Sequence, residues 1–575
     1  MLRDAQKDKP SILPLWRPAV LLLALGGLAG ALVVRAFDLQ VLDKQFLLDQ
    51  GQQRHLRVVE IPAHRGVISD RNGEPLAISS PVDTVWANPR ELAAAADRIP
   101  ELAKLLELDP VALRRRVQER SDKEFLYVKR HIAPELAAKV MDLRLPGVSL
   151  QREYRRFYPA GEVAAHVVGF TNIDDVGQEG VELAYDEWLK GEPGAKRVIK
   201  DRLGRIIEDV ESIRAPEPGK PLTLSIDRRL QYLAYRELKA AVQEQEARGG
   251  SLVLLDASTG EVLAMVNQPA YNPNNRAEIN GQVLRNRAVT DVYEPGSTVK
   301  PFTVAAALES GRYRPNSIID TTPGYMMVGR FTISDSRSYG RIDLGTLIQK
   351  SSNVASAKIA LDLPPEAIWG MLARVGFGQP TGAGFPGEAS GSLSSRPPRY
   401  ESERAALSYG YGVSATPLQL AQAYSVLAAD GVRRPISFLP VSQPPQGEQV
   451  LKPEVVRQVR AMMETVVADG GSAPAAKVVG YRIAGKSGTA RKASGGTYLE
   501  KAYVSYFAGI APASDPRLVL VVMLDEPRAK FYYGGLVSAP VFSKVMGGAL
   551  RLLNIAPDDL PSLGDLVAAN AGGRR

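Results

Sequence analysis

A single segment near the N-terminus, residues 18–34, runs for 17 residues without a charged side chain. As a helix that rises 1.5 Å per residue it is about 26 Å long, which approaches the hydrocarbon thickness of a membrane. Arg17 and Arg35 flank it, and long arginine side chains can reach the membrane surface from such positions. We therefore predict a transmembrane helix over residues 18–37. A buried core helix is a less favoured alternative.

The charges beside this segment predict its orientation. Residues 1–17 contain four Lys and Arg against two Asp, so the positive-inside rule keeps this short tail in the cytoplasm and exports the rest of the chain. A cleaved signal peptide is the alternative, because Ala29, Gly30 and Ala31 resemble a cleavage site. We favour an uncleaved anchor, because three apolar residues follow that site and the run exceeds the ~7–15 residues usual for a signal peptide.

The 575-residue chain contains no cysteine and only four histidines: His55, His64, His131 and His166. Disulfides, thiolate nucleophiles and cysteine-bound metal sites are thereby excluded. The 409 residues after His166 lack histidine, so a catalytic centre there works without imidazole, and a Ser-His-Asp triad is excluded. We assign the four histidines to structure or surface and predict neither a metal site nor a cofactor.

The net charge of +8 lies entirely in residues 221–575, which carry 38 Lys and Arg against 30 Asp and Glu. Such an excess is either an ordinary solvated surface or a mild preference for an anionic partner. Nucleic acid is not predicted as a partner. Arg114, Arg115 and Arg116 fall on one face of an amphipathic helix pattern, and no interleaved aromatic residues are present to stack bases.

Composition divides the exported part into two domains. Residues 38–220 mix short alternating strands with helical apolar spacing and show no catalytic cluster, which predicts an α+β pedestal. Three prolines around Gly219 indicate a linker. Residues 221–556 interleave strand hairpins with long helices, which predicts an α+β or α/β domain. The last residues, 557–575, are predicted to be disordered.

The predicted second domain opens with a strand over residues 222–227, followed by a helix over residues 228–246. Two apolar strands, 251–256 and 261–266, then flank a tight turn at Thr259 and Gly260 and predict a hairpin. Further strands are predicted at residues 482–484, 503–508 and 518–524.

In a domain without histidine, lysine is the best remaining base for a hydroxyl, because its pKa falls when it is buried or near positive charge. Ser297 and Lys300 form an S-x-x-K pattern that leads into a predicted helix, with Pro301 near the first turn. The spacing brings the amine to the hydroxyl, and a helix N-terminus favours an oxyanion beside Ser297 and a lower lysine pKa. Alone, the pattern also fits a helix cap and a solvated lysine.

Two further patterns accompany this one. Ser351 and Asn353 are the ends of an S-x-N, whose side chains could relay protons and bind a substrate amide, or could cap a helix. Lys486, Ser487 and Gly488 form a K-[ST]-G after a predicted strand; they could hold a carboxylate and admit a substrate backbone, or could be a polar loop. Each pattern occurs once, and all three lie in the histidine-free part of the chain.

Together, the three patterns resemble the motif set of penicillin-binding proteins and serine β-lactamases. The resemblance covers nearly the whole chain, with stretches similar to class B penicillin-binding proteins at residues 65–73, 156–161, 165–170, 177–182, 409–419 and 532–542. Within class B the chain looks most like the septal, FtsI-type members of Gram-negative bacteria. The resemblance implies a penicillin-binding transpeptidase fold, with an antiparallel sheet flanked by helices.

The resemblance also implies an activity: a D,D-transpeptidase that cross-links peptidoglycan stem peptides ending in D-Ala-D-Ala and that β-lactam antibiotics acylate. Ser297 would be the nucleophile and Lys300 its base, with an oxyanion hole formed by the backbone N–H groups of Ser297 and Thr489. Ser351 and Asn353 would shuttle a proton and position the peptide amide. The residues implied to bind the terminal carboxylate region are Lys486, Ser487, Gly488, Thr489 and Arg491. Serine in place of threonine at position 487 still supplies the hydroxyl.

The same resemblance implies a single-pass inner-membrane protein at the division septum, with most of the chain in the periplasm. Its implied partners are a membrane-embedded, FtsW-type glycosyltransferase and other division proteins. Three alternatives stay open: a hydrolase of the same fold, such as a D,D-carboxypeptidase or β-lactamase; a non-catalytic scaffold or sensor that keeps the pocket; and an elongation-specific rather than septal enzyme.

Overall fold

The computed structural model describes residues 16–38, 40, 56–200, 206–275, 277, 281–494 and 497–560. These residues belong to two compact units, each drawn from separate stretches of chain. The first unit comprises residues 1–63, 82–153 and 192–217, and the second comprises residues 64–81, 154–191 and 218–575. The boundaries proposed from composition, at residues 38, 220 and 556, stay predictions. The predicted cytoplasmic tail up to residue 15 and residues 561–575 lie outside the described residues.

Within the described residues the α-helices are, in chain order, α1 (Trp16–Phe37), α2 (Pro89–Ala94), α3 (Ile99–Leu105), α4 (Pro110–Glu119), α5 (Pro134–Asp142), α6 (Ala165–Val168), α7 (Gly180–Ala184), α8 (Asp186–Leu189), α9 (Arg228–Glu244), α10 (Gly281–Leu284), α11 (Arg287–Thr290), α12 (Lys300–Glu309), α13 (Leu344–Lys350), α14 (Asn353–Asp362), α15 (Glu366–Arg374), α16 (Glu401–Ser408), α17 (Pro417–Ala428), α18 (Pro453–Glu464), α19 (Gly534–Val537) and α20 (Ala539–Leu552).

The strands are β1 (Leu56–Ile61), β2 (Ile68–Ser69), β3 (Pro75–Ala87), β4 (Leu126–Ile132), β5 (Val148–Phe157), β6 (Gly194–Lys200), β7 (Ile206–Arg214), β8 (Leu222–Thr223), β9 (Gly249–Asp256), β10 (Val262–Gln268), β11 (Ile319–Asp320), β12 (Tyr325–Val328), β13 (Phe331–Ser334), β14 (Arg341–Ile342), β15 (Val432–Arg433), β16 (Glu448–Gln449), β17 (Ala484–Ser494), β18 (Thr497–Ala511) and β19 (Leu518–Asp525).

Helix α1 corresponds to the predicted membrane segment and starts two residues earlier than predicted. By length and composition it could cross a membrane, and it is the one helix in the described part of the chain that could do so. Its leucine and valine side chains are exposed. An exposed apolar helix of this length is stable where lipid surrounds it.

The first unit contains an antiparallel sheet in the order β1-β6-β7. A second pairing joins β3 and β4, and helices α2–α5 bury a separate core that includes Leu92, Leu102, Leu113 and Val140. The helical spacing of the apolar residues in this region reflects that packing, because each helix buries one face.

The second unit is built on a five-stranded antiparallel sheet in the order β10-β9-β19-β18-β17. Every residue of β19 is buried, as expected for a central strand with both faces covered. Helix α17 packs on one face, and helices α9 and α20 pack on the other. The predicted α+β architecture is confirmed, as is the hairpin of β9 and β10. Strand β17 is at the edge of the sheet, so one side of it is open to a ligand.

Two kinds of interaction bind residues 64–81 and 154–191 to the rest of the second unit. Strand β2 pairs in parallel with β8, and apolar residues of both stretches join the core of the large sheet. The carboxylate of Glu182, which is fully buried, accepts hydrogen bonds from Arg65 Nε and Arg156 Nε, each at 2.6 Å. A buried carboxylate requires such partners, because an unpaired charge in the core is strongly destabilising.

One local expectation is corrected. The K-[ST]-G residues lie within β17 rather than in a loop after a strand, because pairing with β18 continues from Ala484 to Ser494. Residues 557–560, the start of the predicted disordered tail, are among the described residues. Asp558 accepts hydrogen bonds from the Arg482 N–H at 2.8 Å and from Ser514 Oγ at 2.6 Å, which hold residues up to 560 against the second unit.

Candidate active site

Ser297 lies in a short 3₁₀ turn, Gly296–Val299, that leads directly into helix α12. Gly296 adopts a φ of +54°, which favours glycine. The hydroxyl of the fully buried Tyr424, on α17, donates to Thr298 O at 2.8 Å. The nucleophile turn is therefore held by a central helix of the core, which limits its movement.

Lys300 is the first residue of α12 and its side chain is fully buried. Its Nζ donates to Ser351 O at 2.6 Å and to Asn353 Oδ1 at 2.7 Å, and it lies 3.1 Å from Ser351 Oγ. The S-x-x-K and S-x-N patterns, separated by about fifty residues in the sequence, thus meet at one amine. This juxtaposition is what the resemblance implied.

Burial lowers the pKa of both lysines of the site. For Lys300 the loss of solvation is the main cause and the charge of Lys486 the second; Asp335 opposes them, and the pKa falls well below the usual value for lysine. Burial lowers the pKa of Lys486 to about 7. Burial and nearby positive charge are the two causes that the sequence argument named for a lowered lysine pKa, and both act on Lys300.

Ser351 and Asn353 are held by the local structure between α13 and α14. Ser351 ends α13 in a left-handed conformation with a φ of +61°. Asp335 lies just after β13; its carboxylate accepts from Asn353 N at 2.5 Å, from Val354 N at 3.2 Å and from Ser352 Oγ at 2.6 Å. Asp335 therefore caps α14 and orients the S-x-N residues. Sequence reasoning missed it, because no motif marks it.

Gly488 is needed for the chain to pack against itself. A Cβ at this position would lie 2.7 Å from Thr298 Cγ2 and 2.9 Å from Pro295 O. The absence of a side chain lets β17 approach the nucleophile turn, whereas the sequence suggested room for a substrate backbone. Gly296 in turn packs against Thr489, since a Cβ there would lie 3.1 Å from Thr489 O. The two backbone positions predicted for the oxyanion hole are thus on adjoining segments.

A groove with a volume of about 590 Å³ begins at Asn353. Strand β13 forms one wall, α16 contributes Glu403 and Ala406, and Arg491 and Tyr498 from the β17–β18 hairpin lie on the other side.

The structure thus brings Ser297, Lys300, Ser351, Asn353 and Lys486 into one centre. Ser487 and Thr489 alternate with buried residues along β17 on its less buried face, and Arg491 follows at the groove. Among the described residues, no hydrogen bond joins Lys300 Nζ to Ser297 Oγ. The individual catalytic and binding roles stay predictions.

Comparison with known proteins identifies the chain's relatives. The model for the penicillin-binding protein transpeptidase domain matches residues 250–547, and the model for the penicillin-binding protein dimerisation domain matches residues 60–224. The chain belongs to the penicillin-binding protein family. The resemblance drawn from the motifs is confirmed, and the antiparallel sheet of the second unit is that of a penicillin-binding protein transpeptidase domain.

Curated relatives match over nearly their full length. The chain is 46% identical to peptidoglycan D,D-transpeptidase FtsI of Escherichia coli K12, over 95% of this chain and 93% of that protein. It is 45% identical to the probable peptidoglycan D,D-transpeptidase PbpC of Pseudomonas aeruginosa, over 92% and 93%. It is 40% identical to the probable peptidoglycan D,D-transpeptidase PenA of Neisseria meningitidis, over 97% and 96%.

Solved structures of penicillin-binding proteins and peptidoglycan synthetases are also similar. The apo transpeptidase domain of penicillin-binding protein 3 from Burkholderia pseudomallei is 43% identical, with a TM-score of 0.54, and the match covers 59% of this chain and 98% of that one. A peptidoglycan synthetase from Bifidobacterium adolescentis is 25% identical, with a TM-score of 0.69 over 88% of this chain and 98% of that one.

Proposed function

We propose that this penicillin-binding protein is a serine D,D-transpeptidase that cross-links peptidoglycan stem peptides through an acyl-enzyme on Ser297. The observation that supports it most directly is the pair of fully buried lysines, Lys300 and Lys486. The lowered pKa of Lys300 provides a base without imidazole, and Lys486 provides a cation for the substrate carboxylate. The names of the relatives from Escherichia coli and Pseudomonas aeruginosa support the same activity.

In the acylation step, the neutral amine of Lys300 accepts the hydroxyl proton of Ser297 while Oγ attacks the carbonyl carbon between the two terminal D-alanines. The backbone N–H groups of Ser297 and Thr489 stabilise the resulting oxyanion. The C–N bond then breaks, and the departing amine takes the proton from Lys300 through the Ser351 hydroxyl, 3.1 Å away. The products are a Ser297 ester and free D-Ala.

In the second step, an amine from a neighbouring stem peptide attacks the ester carbonyl. Lys300 accepts a proton from that amine, and Ser297 Oγ leaves and takes the proton back, so the new amide forms and the free enzyme returns. A β-lactam follows the same first step, but its opened ring stays attached to the acyl group. The ester on Ser297 therefore persists, and its position in the chain identifies the nucleophile.

The terminal carboxylate of the substrate binds along β17. Thr489 Oγ1 accepts from Gly534 N at 3.0 Å, which leaves its own hydroxyl proton free to donate. Ser487 Oγ lies 3.2 Å from Ser472 Oγ and can turn toward a ligand. Lys486 and Arg491 add positive charge, and hydrogen bonds between charged groups and carboxylates are stronger than neutral ones.

A fluorescent penicillin tests this assignment. We expect the full chain to acquire one covalent adduct, located by mass spectrometry on Ser297. The Ser297→Ala variant should acquire none, and Lys300→Met should acquire it much more slowly, because the base is lost. Ser310→Ala, at the exposed end of the same helix, is the matched control and should label normally. A normal mass shift in Ser297→Ala would overturn the assignment.

The lifetime of the adduct distinguishes a transpeptidase from a hydrolase of the same fold. A transpeptidase holds the penicilloyl ester for hours, because no water is activated against it, whereas a β-lactamase releases it rapidly. Formation of a cross-linked dimer from two stem peptides then excludes a scaffold or sensor.

We further propose that α1 anchors the chain in the inner membrane with its N-terminus in the cytoplasm, and that the protein works at the division septum with an FtsW-type glycosyltransferase and other division proteins. The flanking positive charges support the orientation, and the FtsI relative supports the septal role. A reporter enzyme fused after Asp38 tests the orientation: activity confined to the cytoplasm would contradict it. A fluorescent fusion that never collects at mid-cell would contradict the septal role.

A further inference from the structure

Lys492 directly follows the groove residue Arg491 in strand β17, at a point where the strand pairing is irregular. Arg491 is opposite Tyr503, whereas Ala493 is opposite Tyr498, so the register with β18 shifts between them. Residues 499–502 of β18 lie opposite the single residue Lys492, so the extra residues of this irregularity belong to β18, and irregularities of this kind are frequent next to active sites. Lys492 is 9% exposed although both neighbours in the strand are exposed.

The buried ammonium joins two strands that are not neighbours. Lys492 Nζ donates to Asp525 Oδ1 at 2.6 Å and to Glu526 Oε1 at 2.7 Å, at the end of β19. Strand β18 lies between β17 and β19 in the sheet. The ion pair therefore clamps the edge strand to the sheet interior independently of the backbone ladder. Asp525 is 1% exposed, and loss of one partner of a buried ion pair is strongly destabilising.

The same ammonium also reaches the segment that carries the nucleophile. It lies 5.3 Å from the centre of the Tyr293 ring, within the range of a cation–π contact. The Tyr293 hydroxyl is 3.4 Å from Asp525 Oδ2, and the Tyr293 backbone exchanges hydrogen bonds with Ala415. Tyr293 precedes Ser297 by four residues. Lys492 thus connects its own strand β17, which bears the carboxylate-binding residues, to the end of β19 and to the segment that precedes the nucleophile turn.

From these contacts we infer that Lys492 is a positioning residue, which fixes the carboxylate-binding strand β17 relative to the turn of Ser297. It does not touch the substrate, and it acts through the geometry of Thr489 and Arg491 against the nucleophile. The inference rests on the proposed function, since it assumes acylation at Ser297 with the ligand carboxylate on β17.

The test compares acylation by a penicillin with acylation by its methyl ester in the full chain, with binding and limiting rate measured separately. In Lys492→Met the limiting rate constant should fall by up to about 100-fold, the effect of a misplacement on the order of 1 Å in a reacting pair. The preference for the free acid over the methyl ester should also fall, because β17 no longer presents its carboxylate-binding groups correctly. Lys492→Arg should recover part of both, since it keeps the charge.

Two further variants separate positioning from general destabilisation. Arg528→Met removes a different ion pair of Glu526, 2.8 Å long and on the exposed side, and should leave both readouts unchanged. The double variant Lys492→Met with Asp525→Asn removes both buried charges, and it replaces the single variant if that variant does not fold. It should still show the lower limiting rate and the weaker preference for the free acid. Wild-type rate and preference in either Lys492→Met protein, or an equal loss in Arg528→Met, would overturn the inference. Failure of the wild-type chain to label at Ser297 would instead overturn the proposed function.

Discussion

Two buried lysines set the ionisation of the active site, and their pKa values predict its dependence on pH. Lys300 must be neutral to accept the Ser297 proton, so the second-order acylation constant rises as the pH passes upward through its lowered pKa. Lys486 must be charged to attract a carboxylate, so the constant falls as the pH rises through about 7. We expect a bell-shaped profile for penicillin acylation, because this constant reports the free enzyme.

A matched variant identifies the descending limb. Lys486→Arg keeps a positive charge at every pH at which the protein is folded, so its profile should rise and then stay level. Persistence of the fall near pH 7 in this variant would show that another group causes it.

At the residue scale, the sequence predicted which motif residues form the site and missed the residues outside the motifs that hold them in place. The spacing of Ser297 and Lys300 within one turn could be read directly, and the lack of histidine pointed to lysine as the base. Asp335 is 18 residues from Asn353, and Tyr424 is 126 residues from the Thr298 carbonyl that it binds. A single aspartate or tyrosine carries no signal at such separations, because only the fold brings it to the site.

At the element scale, the helix cap supplied by Asp335 makes a prediction. Asp335→Ala removes the acceptor for two N–H groups of α14 and should lower the free energy of unfolding by about 1–2 kcal/mol. Because the same cap orients Asn353, the acylation rate should fall as well. Denaturant unfolding measures the change in stability, and penicillin labelling measures the acylation rate.

The matched control lies in the first unit. Asp109 caps α4 by accepting from Val111 N at 2.7 Å and Ala112 N at 3.1 Å. Asp109→Ala should cost a similar amount of stability without slowing acylation. Equal acylation in the two variants would refute the orienting role of Asp335.

The close approach of β17 to the nucleophile turn gives a second element-scale prediction. Gly488→Ala places a Cβ 2.7 Å from Thr298 Cγ2, and overpacking of this kind typically costs about 1–3 kcal/mol. The strand and the turn must separate to admit the methyl group. The acylation rate should therefore fall by more than the loss of folded protein explains. Gly370→Ala, in α15 where nothing lies within 4 Å, should be neutral or stabilising. Normal acylation by Gly488→Ala would contradict the packing argument.

At the scale of the whole molecule, the core predicts how an isolated catalytic fragment behaves. Ile68, Leu76 and Val181 belong to the same hydrophobic core as the large sheet. A fragment of residues 221–560 loses these contacts and should unfold at a lower temperature than residues 56–560, in calorimetry. It should still be acylated at Ser297, because the site residues all lie within it. An unchanged melting temperature would show that residues 64–81 and 154–191 add no stability.

Composition and periodicity predicted the class of fold, the anchor and the central hairpin, because these follow from patterns over a few turns or strands. They did not predict that residues 64–81 and 154–191 join the second unit. Pairing of Ile68 with Leu222 depends on which distant strand offers a free edge, and a linear reading of the chain cannot supply that. The proline-rich stretch near residue 219 suggested a linker, and one boundary between the two units lies in it, between residues 217 and 218.

The interleaving of the two units also bears on biogenesis. In the order of synthesis, residues 82–153 and 192–217 are insertions into the second unit, and strand β2 cannot pair with β8 until some 150 further residues have been made. Contacts between such distant residues form slowly, because a large loop must close first. A chain whose synthesis stops before residue 484 therefore lacks both strand β17 and the completed core, so the active site forms only when synthesis is nearly finished.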